Sequence, residues 1–260
     1  MATRRQRTQL TELITVSFSN IGVSPPSLAP YPPWGAKLVK VVERALSEAW
    51  LHLIQDHSTL VSGGNEDAIT DQLMTELVAL RGNEYPPGFH AGFFGMPVRD
   101  GKLPSWDGKS IDQMPDITIY PAVPRQNIAD HRHDALFFEC KVLDKGRGMD
   151  LYRSQGIERF TQGRYAWCMP HAGMVAYVLE KSEFSPTAAL TGYFARINQT
   201  GKTVGGEVGV STPPTLVAKA NTAYVSDVAE SRHLRSAPVV DGKVSMITLR
   251  HLWLIATPSY

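Results

Sequence analysis

Two short stretches place acid and amine side chains where apolar residues are expected. Pro115-Asp116 opens onto the run DITIY, and Glu139-Cys140-Lys141 sits inside the run ALFFECKVL, residues 135–143. Charge buried without a partner is strongly unfavourable, so these residues call for partners or for chemistry. Strand side chains alternate between faces. Asp116, Thr118 and Tyr120 therefore point one way, and Ile117 and Ile119 the other. Phe137, Glu139, Lys141 and Leu143 share a face, while Phe138, Cys140 and Val142 take the opposite one. If the two runs pair as a hairpin through VPRQNIADHRHD, Asp116 lies across from Glu139 and Lys141. Two carboxylates and an ammonium then converge on one patch of sheet.

A divalent cation between the acids accounts for such a cluster. Mg²⁺ takes oxygen ligands at about 2.0–2.1 Å and keeps several waters. Asp116 and Glu139 supply oxygens, and the carbonyl of Cys140 supplies another. The cation stabilises phosphate charge and promotes formation of hydroxide. Lys141 holds a water or stabilises charge at a pentavalent phosphorus. A third acid comes from upstream. In NEDAITDQLMTELVALRG, the residues Glu66, Thr70, Leu73, Leu77 and Leu80 fall at helical steps. That spacing puts Glu66 on the inward stripe, where it completes the metal shell or binds a second metal. The plainer alternative is a first-turn acid favoured by the helix dipole. A buried or edge-strand salt bridge is the corresponding alternative for Glu139 and Lys141. Phe137, Phe138, Val142 and Leu143 argue against it, because they mark an inner strand.

Positioning these residues takes a defined order of elements. The segment SPPSLAPYPPWG, Ser24 to Gly35, holds five prolines and reads as an extended lead-in. Leu38, Val42, Ala45, Leu46, Ala49, Trp50 and Leu53 recur at helical spacing and predict an amphipathic scaffold helix. Asn65 is the expected N-cap of the next helix and Gly82 its stop. Residues 83–113 are rich in Gly, Pro and aromatics and read as a long loop or irregular hairpin. After the two charged strands come a helix from Asp150 to Tyr165 and the strand MVAYVLE. GYFARI and a Gly/Thr/Pro-rich stretch then lead to a final strand, ITLRHLWLIAT. The order predicts an α/β (α+β) fold with a central mixed β-sheet flanked by helices. Residues 1–36 form a tail and lead-in, and residues 37–260 one domain. Its core spans about 60–180, with the C-terminal strands 181–260 as an elaboration.

On Pro115-Asp116, a gap of 22 residues, Glu139-Cys140-Lys141 and the upstream Glu66, the chain resembles the PD-(D/E)XK nuclease superfamily. The resemblance covers roughly residues 60–180. It implies a restriction-endonuclease-like core in which Asp116 and Glu139 bind Mg²⁺, Lys141 assists the water and Glu66 joins them. Mn²⁺ is expected to substitute. The family also turns polar residues of the following helix towards the site. Here Gln155, Arg159 and Gln162 recur at helical spacing, with Gln155 favoured as a site residue. Arg153, Arg159 and Arg164 suit phosphate contact. Gly156 and Gly163 weaken this helix or mark close packing against the sheet.

The resemblance implies a phosphodiester hydrolase, an endonuclease acting on DNA in preference to RNA. Restriction or antiviral defence fits its compact size, as do a homodimer and a protein partner for target choice. The alternative is a non-catalytic nucleic-acid-binding or assembly subunit with the same fold. Composition leaves these readings open. The chain has 260 residues, 43% hydrophobic and 20% charged, with a formal net charge of +1. No global basic field advertises nucleic acid, so any such surface is a local patch. Two cysteines, Cys140 and Cys168, do not make a disulfide framework, and a reducing cytoplasm is expected. No apolar run suggests a membrane span, and the start MATRRQRTQL lacks a signal-peptide core.

Other constellations read as scaffold. His131 and His133 lie in a polar turn without further zinc ligands at recognisable spacing, and read as solvated loop residues. Cys168 near His171 reads as a packed thiol. GKTVGG, 201–206, departs from the phosphate-loop spacing and reads as a hairpin. Phe89, Phe93, Phe94 and Trp106 either stack on bases or form a loop mini-core.

Overall fold

The structure is a computed structural model that describes residues 30–180, 186–200, 210–218, 222, 224–240 and 243–257. The tail, the first half of the proline-rich lead-in and GKTVGG lie outside the described residues. The apolar spacing noted above builds helix α1 (Ala36–Asp56), which buries Val42, Ala45, Leu46, Ala49, Trp50 and Leu53. After the short α2 (Ser58–Ser62) comes α3 (Glu66–Gly82), whose N-cap Asn65 accepts a hydrogen bond from the Ala68 N–H. The cap satisfies one of the amides that a helix start leaves without a partner.

A long loop leads to β1 (Ile117–Ile119) and then β2 (Leu136–Leu143). The loop's residue Val98 exchanges backbone hydrogen bonds with Thr118 at 2.9 and 2.8 Å, which covers the outer edge of β1. Phe89, Phe94 and Leu103 of the loop enter the core, while Phe93 and Trp106 remain exposed. A broken helix follows: α4 (Met149–Tyr152), a π-helical turn (Arg153–Ile157) and α5 (Glu158–Thr161). The helix expected to reach Tyr165 stops at Thr161, because Gly163 turns the chain at a φ of 67°. Then come β3 (His171–Val178), α6 (Pro186–Thr200), β4 (Val210–Ala218), β5 (Val228–Val240) and β6 (Lys243–Ile255). GYFARI thus belongs to a helix, and two more strands precede the last.

The strands form one six-stranded mixed sheet in the order β1-β2-β3-β6-β5-β4. β2, β3 and β6 run parallel, and the outer pairings are antiparallel. β6 is a central strand, so the sheet is completed by residues well beyond 180. Parallel strands buried on both faces read as apolar runs, as β2 and β3 do. β4 lies at the edge, where Pro213 and Pro214 are tolerated. α1 and α3 cover one face: Tyr177 of β3 stacks on Trp50 at 5.6 Å and bonds Thr70 at 3.0 Å. The broken helix covers the other. Gly173 of β3 faces Phe138 of β2, whose ring would meet any Cβ there at 2.1 Å, so the close strand pair demands glycine. No helix among the described residues is long and apolar enough to cross a membrane.

Candidate active site

The site forms where β1 runs out. The last β1 pair joins Ile117 to Phe138, and one further step along that register sets Asp116 opposite Glu139. Beyond it, β2 has no partner strand on this side, and carboxylates take the free amides. Asp116 Oδ2 accepts from Cys140 N at 2.6 Å, and Glu66 Oε2 accepts from Val142 N at 2.9 Å. Buried amides need such partners. The first turn of α3 brings Glu66 there, as its inward stripe predicts.

Lys141 gathers the three acids. Its Nζ lies 2.8 Å from Glu66 Oε1, 2.9 Å from Glu139 Oε1 and 3.7 Å from Asp116 Oδ2, and it donates to the Cys140 carbonyl at 2.5 Å. The cluster runs from closed to open: side-chain exposure is 0% at Glu139, 7% at Lys141, 17% at Asp116 and 30% at Glu66. The sequence-predicted quartet is therefore together, and one side of it meets solvent.

Charge and burial shift these groups. Burial, then the neighbouring Asp116, push Glu139 up to about 7, against the pull of Lys141, Arg159 and Tyr165. Burial also raises Asp116, with Glu66 adding to it, while Lys141 and the Cys140 amide oppose. Burial alone would depress the Lys141 amine. Glu139, Asp116 and Glu66 outweigh it and hold the amine above its ordinary value. Lys141 is therefore a fixed cation near neutral pH, suited to donate hydrogen bonds and unsuited to take a proton.

The segment 153–165 divides. Arg159 reaches the cluster, with Nη1 2.9 Å from Glu139 Oε1. The sequence reading turned it towards the site for phosphate contact, and here it pairs with Glu139. Arg153 turns to Glu158 and donates to the Tyr193 phenol at 2.9 Å, so the structure ties it into the helix packing. Gln155 is exposed in the π-helical turn, and Arg164 is exposed beyond it. Gly156 in that turn packs over Met174 and the Lys141 stem, where a Cβ would meet the Met174 methyl at 2.4 Å. Gln162 lines a surface groove with Arg164.

Tyr165 was missed by the sequence reading. Its hydroxyl donates to Glu139 Oε2 from a buried position. Gly163 and Ala166, both with positive φ, turn the chain on either side of it. Arg235 of β5 then fixes the turn by donating to the carbonyls of Ala166, Trp167 and Met169. Only the glycine gave a local signal for this turn, and nothing local linked Tyr165 to Glu139.

The donor set suits a hard cation. Glu139 Oε1 is buried and meets no donor in hydrogen-bond geometry, although two cations stand 2.9 Å away. Asp116 keeps Oδ1 free of hydrogen bonds from the described residues, and the Cys140 carbonyl adds a third oxygen. The Cys140 thiol itself is buried on the opposite face of the sheet. Among the described residues, no group of three or more His, Cys, Asp or Glu side chains forms a ready metal cage. Mg²⁺ needs none, since it is commonly held by one or two carboxylates with waters and substrate phosphate. Elsewhere the structure corrects one expectation: His133 is buried against the Trp167 ring at 4.6 Å, and only His131 is a solvated loop residue. Both cysteines are free and buried. No protein family, curated protein or solved structure matches the chain, so the functional reading rests on this geometry.

Proposed function

We propose that the chain is a Mg²⁺-dependent nuclease of the PD-(D/E)XK type, with a restriction-endonuclease-like core, that hydrolyses phosphodiester bonds in DNA. One observation carries the reading: Asp116, Glu139 and Glu66 meet on Lys141 at an open sheet edge. Asp116 and Glu139, with the Cys140 carbonyl, hold the cation. Mg²⁺, or Mn²⁺ in its place, polarises the phosphate and lowers the pKa of water. Lys141 donates to the attacking water and stabilises anionic charge on the phosphate. Arg159 and Tyr165 keep Glu139 oriented. Gln155 and Arg164 contact the substrate from the rim. A homodimer supplies the second site that a duplex cut needs, and a protein partner supplies the target. Restriction or antiviral defence is the setting proposed.

The test incubates the protein with plasmid, linear duplex, single-stranded DNA and RNA, each with Mg²⁺, Mn²⁺ or EDTA. Cleavage of DNA that EDTA abolishes is expected. Asp116→Asn removes it, and Lys141→Met lowers it by about 10²–10³-fold. Full activity in Asp116→Asn, or no cleavage of any substrate with either metal, overturns the reading. A second reading, a non-catalytic nucleic-acid-binding or assembly subunit, draws on the amide bonds to Asp116 and Glu66, which close the edge of β2 without any metal. Calorimetric titration separates the two, because a purely structural pair of acids takes up no Mg²⁺.

A further inference from the structure

A groove of about 350 Å³ lies beside the candidate site, between the loop 104–110 and the chain end of the broken helix. Trp106, Lys109 and Gln113 line one wall, and Gln162 and Arg164 the other. The loop is pinned to the opposite wall at two points. Trp106 N donates to the Gly163 carbonyl at 3.2 Å, and Trp167 Nε1 donates to the Pro104 carbonyl at 3.3 Å. Its own turn is closed by Ser105 N to the Ser110 carbonyl at 2.7 Å. Asp107, the acid in the groove, accepts from Ser105 Oγ at 2.8 Å and Lys109 N at 3.2 Å, so its charge faces its own loop.

This bracing leaves two side chains unused. The Trp106 indole is exposed on a fixed backbone, so a ligand in the groove can reach it. Arg164 is exposed and makes no ion pair among the described residues. A flat apolar face and a free guanidinium on facing walls match a base and its phosphate. Nucleobases stack on aromatic side chains without regard to sequence, and arginine forks bind phosphate through two parallel hydrogen bonds. The groove is of the size that small-molecule sites begin at, about 300 Å³. The backbone ties the groove to the cluster: Arg164 points outward, and the next residue, Tyr165, points inward to Glu139.

We infer that this groove is a subsite for an unpaired nucleotide, its base on Trp106 and its phosphate on Arg164. Bases inside a duplex are covered by their neighbours and leave no face for the indole. The inference rests on the phosphodiesterase reading and narrows it to substrates with a single-stranded end, flap or loop.

The experiment measures binding in EDTA, where nothing is cut, by anisotropy of a short fluorescein-labelled oligodeoxynucleotide and of its duplex. Trp106→Ala and Arg164→Ala are each expected to weaken single-strand binding about tenfold or more, with a smaller loss on the duplex. Trp106→Phe retains a ring and restores most of the affinity. Lys102→Ala, whose amine pairs with Asp112 outside the groove, leaves binding unchanged. Wild-type affinity in Trp106→Ala, or an equal loss in Lys102→Ala, overturns the subsite. Hydrolysis of bis(p-nitrophenyl) phosphate by the wild type and Asp116→Asn, with Mg²⁺, tests the active site without a base. If that hydrolysis is absent while the binding pattern holds, the nuclease reading fails and the subsite stands. If hydrolysis is present and the pattern absent, the subsite alone fails.

Discussion

The broken helix covers two polar clusters that lie in one row across the sheet. Glu139, Met174 and His251 are register partners on β2, β3 and β6, so their side chains leave the sheet on the same side. At one end stand the acids, Lys141 and Arg159. At the other, Tyr152 Oη and His251 Nδ1 share a hydrogen bond of 2.9 Å, and Ser231 Oγ bridges His251 Nε2 at 2.7 Å and His233 Nε2 at 2.6 Å. All four of those side chains are fully buried. Burial depresses both imidazoles, His233 to about 3, so the far end is neutral. Met174, with Gly156 above it, separates the two. The same cover thus produces opposite chemistry. Where it closes fully, polar groups are uncharged and bond one another. Where it ends, at the edge that β1 leaves free, charges persist beside solvent. A substrate reaches only the second.

The largest expected effect contrasts the bridging residue of each cluster. Lys141→Met leaves three carboxylates without their shared cation and should cost about 3–5 kcal/mol in metal-free protein. Mg²⁺ should restore part of this by taking the cation's place. Ser231→Ala leaves buried imidazole nitrogens without a partner and should cost about 1–3 kcal/mol, with no response to Mg²⁺. Urea unfolding with and without Mg²⁺ measures both. A greater loss in Ser231→Ala, or an equal rescue of the two by Mg²⁺, breaks the contrast between a charged site and a neutral scaffold.

The two ends should also answer pH with opposite sign. His233 and His251 have folded values below the unfolded imidazole value of about 6.5. Their contribution is therefore full above that value and lost as the pH falls, for His233 towards about 3. Glu139 is raised from 4.5 to about 7. Its contribution is full below the unfolded value and is lost, without metal, as the pH rises through about 7. The Glu139 and His233 effects should each reach roughly 3 kcal/mol from pH 4 to 8. Unfolding free energies followed over this range should show Glu139→Gln flattening the neutral side and His233→Gln the acid side. Parallel curves for wild type and both variants would remove the distinction.

The charged end was legible in the sequence and the neutral end was not, for a physical reason. Asp116, Glu139 and Lys141 interrupt apolar runs at fixed spacing, and Glu66 sits on an apolar helical stripe. An acid in such a place announces itself, and the structure joins all four. Ser231, His233 and His251 lie in strands whose pairing is set by partners far along the chain, and their alternation with Arg232, Leu234 and Arg250 looks ordinary. β4 and β5 escaped notice because Pro213, Pro214 and mixed polar residues mask an edge hairpin. α6 escaped because its Thr, Gly and Tyr residues weaken helical propensity. The bond from Arg153 to Tyr193 had no local signal, because Tyr193 lies in that unrecognised helix. Local pattern located the unusual groups, while tertiary pairing decided which of the ordinary polar groups met.

The smallest effect compares the phenol of Tyr152, carried by α4, with that of Tyr165, in the turn beyond α5. Tyr165 donates to Glu139 Oε2 and so favours its charged form. Tyr165→Phe should raise Glu139 further, shift the pH midpoint of Mg²⁺ binding upward and weaken affinity about tenfold, as loss of a residue that orients a metal ligand does. Tyr152→Phe removes a phenol of similar burial from the neutral end and should leave both the midpoint and the affinity unchanged, at a stability cost of about 1 kcal/mol. A merely structural role for Tyr165 predicts the same stability loss with no movement of the Mg²⁺ midpoint. Titration calorimetry at pH 6, 7 and 8 reads the difference. Equal behaviour of the two variants would mean that the row under the helix is one scaffold from end to end, with no privileged site at the edge of β2.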